Sequence, residues 1–283
     1  MKENAKVAVL GAGQMGSGIG QVFATAGYSV KIYDLGKQIF EKSRNRIRAS
    51  LEKLESKCLV CEKISNIENR ISYYAKMEKL QDCDIFLESV FEDFSIKTSI
   101  FCELANILTE SSRVATNTSS YSVASLASCV PWPEKFIGFH FMNPPPVMEL
   151  LEVIRGPRTS DETFDFFWQL AKKLKKTPII SKDSPGFVLN RILIPMINEA
   201  VSALQENVSS AEQIDAALTL GAHHPLGPLA LGDLIGLDTV LAILKTLQNN
   251  LDGSKYAPCP LLEDYVARGF LGKKTKRGFY EYE

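Results

Sequence analysis

No apolar run among the 283 residues approaches the ~18 that a membrane span needs. An excess of one charge sign is also missing. Lys and Arg number 32 against 33 Asp and Glu, a net charge of -1. No global basic excess therefore points to nucleic acid or an anionic membrane, though a local basic patch for a phosphorylated ligand stays compatible with this balance. Cysteines are few and scattered, at 58, 61, 83, 102, 129 and 259, too sparse for a disulfide scaffold. Cys58 and Cys61 form one CxxC with no second pair and no nearby His. A closed zinc site needs four ligands, so no metal is expected. Repeats and low-complexity tracts are absent. The first strand-like run, 7–10, leaves no room for a leader ahead of the fold, and Glu281-Tyr282-Glu283 is no peroxisomal signal. The expected compartment is the cytoplasm.

What is present fits about two domains at roughly 100–200 residues each. Strand-like and helix-like segments alternate through the first part. Strands are expected at 7–10, 28–33, 71–74, 84–90, 113–116, 136–142, 148–154 and 178–181, with helices at 14–26, 37–57, 95–109 and 161–174. This alternation favours a mostly parallel sheet covered on both faces. The texture changes near 181–186, and helical period dominates afterwards. Helices are expected at 187–205, with Pro195 as a kink, at 231–247 and at 261–267. Ser210 to Gln213 reads as a capping box opening another helix, which ends at Gly221. The expected class is α/β, a Rossmann-type doubly wound, mostly parallel sheet domain over 1–183. An all-α C-terminal domain follows over 184–283.

Gly11-Ala12-Gly13-Gln14-Met15-Gly16 follows a strand and opens a helix. GxGxxG alone is a weak signal, but this context is the one a dinucleotide requires. Gly11 allows a tight turn, Gly13 admits a pyrophosphate to the backbone, and Gly16 lets helix and strand pack closely. Asp34 ends the second strand, near the ~20-residue offset of an acid that binds ribose hydroxyls. A 2′-phosphate would meet a like charge there, so NAD is favoured over NADP. The acidic loop after 84–90 carries Glu92, with Lys97 beyond it. These two either face a ligand or belong to a solvated loop. Asn117-Thr118-Ser119-Ser120 suits a polar substrate at a strand end, and equally an ordinary turn. His140 ends an apolar strand before Asn143-Pro144-Pro145-Pro146, and a returning strand carries Glu152. A lone His on an apolar strand is commonly a core residue. A carboxylate beside it makes it a candidate general base. His223 and His224 sit in a helix connection and read as structural.

Together these segments resemble the 3-hydroxyacyl-CoA dehydrogenase family, nearest its short bacterial-type 3-hydroxybutyryl-CoA branch, over essentially the whole chain. The carrying motifs are GAGQMGSGIGQVFA at 11–24, DIFLESVFED at 84–93, NTSS at 117–120 and GFHFMNPPPVMELLEVI at 138–154. The C-terminal half adds DSPGFVLNRILIPMINEA at 183–200, HPLGPLALGDLIGLD at 224–238 and GKKTKRGFYEY at 272–282. The resemblance implies that His140 is the base and Glu152 its partner. It implies that Ser119 and Asn190 hydrogen-bond the substrate and that Asp34 holds the adenosine ribose. Glu92 and Lys97, with Asn117 nearby, fall on the nicotinamide side. It further implies NAD as cofactor, an acyl-CoA substrate, and a homodimer through the C-terminal helices. Some positions depart from the pattern. Glu149 replaces a usual Lys, and Tyr121 a usual Leu. Ala49 replaces a basic residue near the CoA phosphates, where Lys53 and Lys57 remain. Two other readings stand beside this one: a hydroxy-acid dehydrogenase acting on a substrate without CoA, and a non-catalytic cofactor-binding protein.

Overall fold

The computed structural model describes residues 5–283, the side chain of Lys37 apart. The chain divides into two compact units, the first ending at Ser184 and the second running Pro185–Glu283. In the first unit the elements are β1 (Lys6–Leu10), α1 (Gln14–Thr25), β2 (Ser29–Tyr33), α2 (Lys37–Glu55), α3 (Ile64–Asn69), β3 (Ile71–Tyr74) and β4 (Ile85–Glu88). Then follow α4 (Phe94–Leu104), β5 (Arg113–Thr116), α5 (Val123–Ala127), β6 (Phe136–Phe141), β7 (Leu150–Arg155), α6 (Asp161–Lys173) and β8 (Thr177–Lys182). The sheet order is β3-β2-β1-β4-β5-β6-β7-β8. Pairing is parallel from β3 through β6, β7 runs antiparallel to β6, and β8 is parallel to β7. The doubly wound, mostly parallel sheet is the expected one.

Its central strands are covered on both faces, so β4 and β6 are buried along their whole length. Such strands read as continuous apolar runs rather than alternating ones. The polar side chains inside them are therefore the exceptions that matter: Glu88, His140 and, on β7, Glu152. α2 is otherwise polar and buries one stripe, Phe40, Ile47, Leu51 and Leu54, at helical spacing. Asp93 caps α4 by accepting from the Ile96 N–H, and Ser160 caps α6 by accepting from the Thr163 N–H.

The second unit is helical: α7 (Leu189–Gln205), α8 (Ala211–Gly221), α9 (Pro228–Ile235), α10 (Leu237–Asn250) and α11 (Pro260–Ala267). α7 continues through Pro195. The expected helix over 231–247 is instead two helices, separated at Gly236 with φ of +101°. Ser210 caps α8 through the Gln213 N–H. The Gln213 side chain turns to the Ser209 hydroxyl at 2.9 Å. Ile194, Ile197, Val201, Leu229, Val240 and Leu244 form the centre of this unit's core. Two buried carboxylates brace it. Asp215 accepts from the Leu229 and Ala230 N–H groups and the Tyr280 hydroxyl. Asp233 accepts from the Phe279 and Tyr280 N–H groups and the Tyr282 hydroxyl. Each buried acceptor thereby holds three donors, and the C-terminal segment is tied to α8 and α9. Among the described residues no helix is long and apolar enough to cross a membrane, and no group of three or more His, Cys, Asp or Glu is placed to hold a metal ion.

Candidate active site

The turn between β1 and α1 is shaped by two close backbone approaches. Gly11 has φ of +108°, and a Cβ there would lie 2.4 Å from the Ser89 carbonyl oxygen. A Cβ on Gly16 would lie 2.0 Å from the Gly11 carbonyl oxygen. Around Gly13 the situation is opposite: a Cβ would meet nothing within 4 Å. Gly13 is also the N-cap of α1 and offers no side-chain cap. The first N–H groups of α1, at the positive end of the helix, thus have no side-chain cap, which suits a pyrophosphate. Asp34 stands at the same turn. Its Oδ2 accepts from the Ala12 N–H and its Oδ1 from the Leu35 N–H, both at 2.8 Å. The Met15 side chain packs back against the core. Gln14 reaches across to Asn143, with Nε2 donating to Oδ1 at 3.1 Å.

β6 and β7 pair with His140 directly opposite Glu152. Cross-strand neighbours have Cβ atoms only about 5 Å apart, so the register itself brings the side chains together. His140 Nδ1 lies 2.8 Å from Glu152 Oε2. Glu152 is fully buried and the His140 side chain is 9% exposed. A carboxylate is an acceptor, so it holds the proton on Nδ1 and leaves the ring lone pair on Nε2. Glu149 is exposed ahead of β7 and takes no part in the pair. The loop after β6 is anchored by Lys176, whose ammonium donates to the carbonyls of Pro145 at 2.7 Å and Met148 at 2.8 Å. Burial lowers the Lys176 ammonium from its ordinary value.

The loops after β4 and β5 are clasped together by Glu92. Its Oε1 accepts from the Thr118 hydroxyl at 2.6 Å and from the N–H groups of Ser119 at 2.9 Å and Ser120 at 3.1 Å. Its Oε2 lies 3.0 Å from Lys97 Nζ. Lys97, within α4, is 1% exposed and so is not a solvated side chain, while Glu92 in the loop before it is 35% exposed. Burial alone would lower the Lys97 ammonium, but Glu88 and Glu92 overcome it and hold the ammonium above its usual value. Partial burial likewise opposes ionisation of Glu92, and Lys97 with Thr118 and Ser119 keeps its carboxyl below the usual range. Asn117 joins neighbouring strands: its N–H donates to the Glu88 carbonyl, and its Oδ1 accepts from the Phe141 N–H, each at 2.8 Å. The Asn117–Ser120 segment thus lies between Glu92 and the end of the His140 strand.

Other expected residues lie apart. Lys53 and Lys57 are exposed on and just beyond α2, as is Ala49 within it. Tyr121 places its ring 5.5 Å from Phe94. Asn190 belongs to the second unit, at the second position of α7, and is half-buried. Glu88, Thr116 and Lys176 were not singled out from the sequence. For Glu88 a signal existed, since it is the one charge inside the apolar run 85–90.

Residues 6–184 match the family model described as 3-hydroxyacyl-CoA dehydrogenase, NAD binding domain. Residues 186–282 match that of the 3-hydroxyacyl-CoA dehydrogenase C-terminal domain. The chain belongs to the 3-hydroxyacyl-CoA dehydrogenase family. It is 48% identical to a 3-hydroxybutyryl-CoA dehydrogenase of Bradyrhizobium diazoefficiens, over 98% of this chain and 95% of that one. It is 36% identical to the mitochondrial hydroxyacyl-coenzyme A dehydrogenase of Homo sapiens, over 98% and 91%. The crystal structure of the (S)-3-hydroxybutyryl-CoA dehydrogenase of Ralstonia eutropha superposes with a TM-score of 0.95 at 42% identity, covering 99% of this chain and 100% of that one. This family member is accordingly an NAD-dependent oxidoreductase, as the motifs implied.

Proposed function

We propose that this dehydrogenase interconverts short L-3-hydroxyacyl-CoA thioesters, 3-hydroxybutyryl-CoA among them, and the 3-ketoacyl-CoA products. The observation that carries this reading is the buried His140–Glu152 pair at 2.8 Å. NAD, when bound, would supply the hydride acceptor for C3 of the substrate. His140 Nε2 takes the proton of the 3-hydroxyl as that carbon is oxidised, and Glu152 stabilises the imidazolium that forms. In the reducing direction the imidazolium returns its proton to the 3-keto oxygen. Ser119 and Asn190 hydrogen-bond the substrate, and Lys53 with Lys57 meets the CoA phosphates.

For the cofactor, the backbone of Gly11, Gly13, Gln14, Met15 and Gly16 receives the pyrophosphate and Asp34 the adenosine ribose. Glu92, Lys97 and Asn117 would stand on the nicotinamide side. Asp34 repels a 2′-phosphate, so kcat/KM for NADH is expected to exceed that for NADPH by at least about tenfold, or roughly 1.4 kcal/mol. Steady-state rates with the two cofactors measure this, and equal values would remove Asp34 from the role.

The substrate class is tested by following NADH oxidation with acetoacetyl-CoA, a longer 3-ketoacyl-CoA and a free 3-keto acid in parallel. Acetoacetyl-CoA should give the highest kcat/KM. Preference for the free acid would move the chain to the hydroxy-acid dehydrogenases, and no turnover of any of them would leave a cofactor-binding protein.

The working assembly in this reading is a homodimer through residues beyond 186, in the cytoplasm, where six free thiols are at home. Ile192, Val208, Leu220 and Leu234 of the second unit are exposed by more than half, apolar side chains of the kind a dimer interface would cover. Sedimentation should return twice the 31.4 kDa of one chain; a monomer at micromolar concentration contradicts the dimer.

A further inference from the structure

Glu88 ends β4 and has no exposed surface. Its Oε1 accepts from Lys97 Nζ at 2.6 Å and from the Val90 N–H at 2.8 Å. Its Oε2 accepts from the Thr116 hydroxyl at 2.6 Å. Thr116 Oγ1 in turn accepts from the Thr118 N–H at 3.2 Å, and the Thr118 hydroxyl donates to Glu92. With Lys97 bound to both acids, Glu88, Thr116, Thr118, Glu92 and Lys97 close a ring of hydrogen bonds. That ring spans the carboxyl ends of β4 and β5, beside the turn where Ser89 meets Gly11.

An ionised side chain at this depth is costly, and an apolar residue would fill the place more cheaply. The proton transfer described above makes no use of it. What Glu88 does contribute is charge. All three of its neighbours are donors, the surroundings of an ionised carboxylate. Two carboxylates therefore share one ammonium, and the cluster carries one negative charge in excess.

We propose that Glu88 is a positioning residue that shares the Lys97 charge with Glu92 and so leaves the pair of carboxylates with one negative charge in excess on the side of the cofactor ring. The proposal rests on the placement of Glu92 and Lys97 on the nicotinamide side. An oxidised nicotinamide ring bears a positive charge and a reduced one bears none. The excess negative charge consequently favours NAD+ over NADH, an effect that a purely structural residue does not have.

Glu88→Gln tests this. The amide is isosteric: its oxygen can face Lys97 and Val90, and its N–H the Thr116 oxygen. Dissociation constants for NAD+ and NADH are measured by fluorescence titration, alongside thermal melting. The ratio Kd(NAD+)/Kd(NADH) should rise about fivefold, the order expected for one charge screened by a protein interior. A folded variant with an unchanged ratio overturns the proposal. Glu88→Met, neutral and of similar volume, carries the same expectation if the amide does not fold. Thr116→Val removes one donor but neither charge, and should leave the ratio within twofold. A shift as large as that of Glu88→Gln would show that geometry rather than charge is responsible, and would overturn the proposal. Lys97→Met separates this inference from the placement beneath it. If it alters neither Kd, the placement fails and the proposal with it. If it alters them while the Glu88→Gln ratio stays put, only the role of Glu88 fails.

Discussion

Replacing His140 with glutamine is expected to lower kcat by about 10²–10⁴, the usual weight of general acid–base catalysis, while NADH affinity barely changes. A secondary hydroxyl holds its proton tightly at neutral pH, so departure of hydride from C3 requires a base in the same step. Imidazole is the side chain that serves near pH 7 with least perturbation. His140 is the histidine placed for this, on the fully buried strand β6 with Glu152 2.8 Å from Nδ1. Glutamine keeps a hydrogen-bonding group in the same volume but cannot cycle the proton. Its effect should therefore fall on turnover rather than on binding. The measurement is kcat with acetoacetyl-CoA together with NADH titration of the same preparation. Near-normal turnover would falsify the assignment of His140 as base and return it to the core-histidine reading.

Glu152→Gln is expected to reduce kcat by about 10²-fold with the fold intact. A carboxylate only accepts, which fixes the proton on Nδ1 of His140; an amide presents either an oxygen or an N–H to that nitrogen. Half of the benefit of the pair, a single tautomer, is then lost. The other half is the negative charge that stabilises the imidazolium formed during oxidation. A tautomer disturbed at a buried acid–histidine pair can cost as much as 10⁴ in the serine proteases, so 10² is a moderate expectation. Glu152→Ala should add a stability loss of about 1–3 kcal/mol, because a buried polar ring loses its partner. The checks are kcat at pH 7 and the melting temperature. If Glu152→Gln turns over normally, the carboxylate is packing rather than machinery.

The sequence carried the information for the strand–helix alternation, the change of texture near 181–186, the glycine turn and the acid at the end of the second strand. Each of these is local. A β-strand covered on both faces must be a short apolar run, and a turn that touches another backbone must be glycine. The His140–Glu152 pair was legible for a related reason: the proline corner 144–146 followed by a second apolar strand implies a reversal, and a reversal brings nearby residues face to face. The break at Gly236 was missed because apolar spacing continues across it, and period alone does not report a left-handed backbone angle.

Charge at the site was harder to read. Glu92 and Lys97 stand on a polar stretch of sequence that suits solvent equally well. Only the sheet order, which sets β4 beside β5, delivers Thr116 and Thr118 to them and seals Lys97 between Glu88 and Glu92. Strands adjacent in the sheet are here 28 positions apart at Glu88 and Thr116, and no local pattern encodes a bond of that separation. Local chemistry, periodicity and turn geometry are properties of neighbouring residues, so most of the strands and helices and the candidate base are legible in the sequence, while the short helices α3 and α5 and the break at Gly236 are not. Which buried charges meet, and what excess charge they leave, depends on distances through space, and the tertiary structure alone decided that.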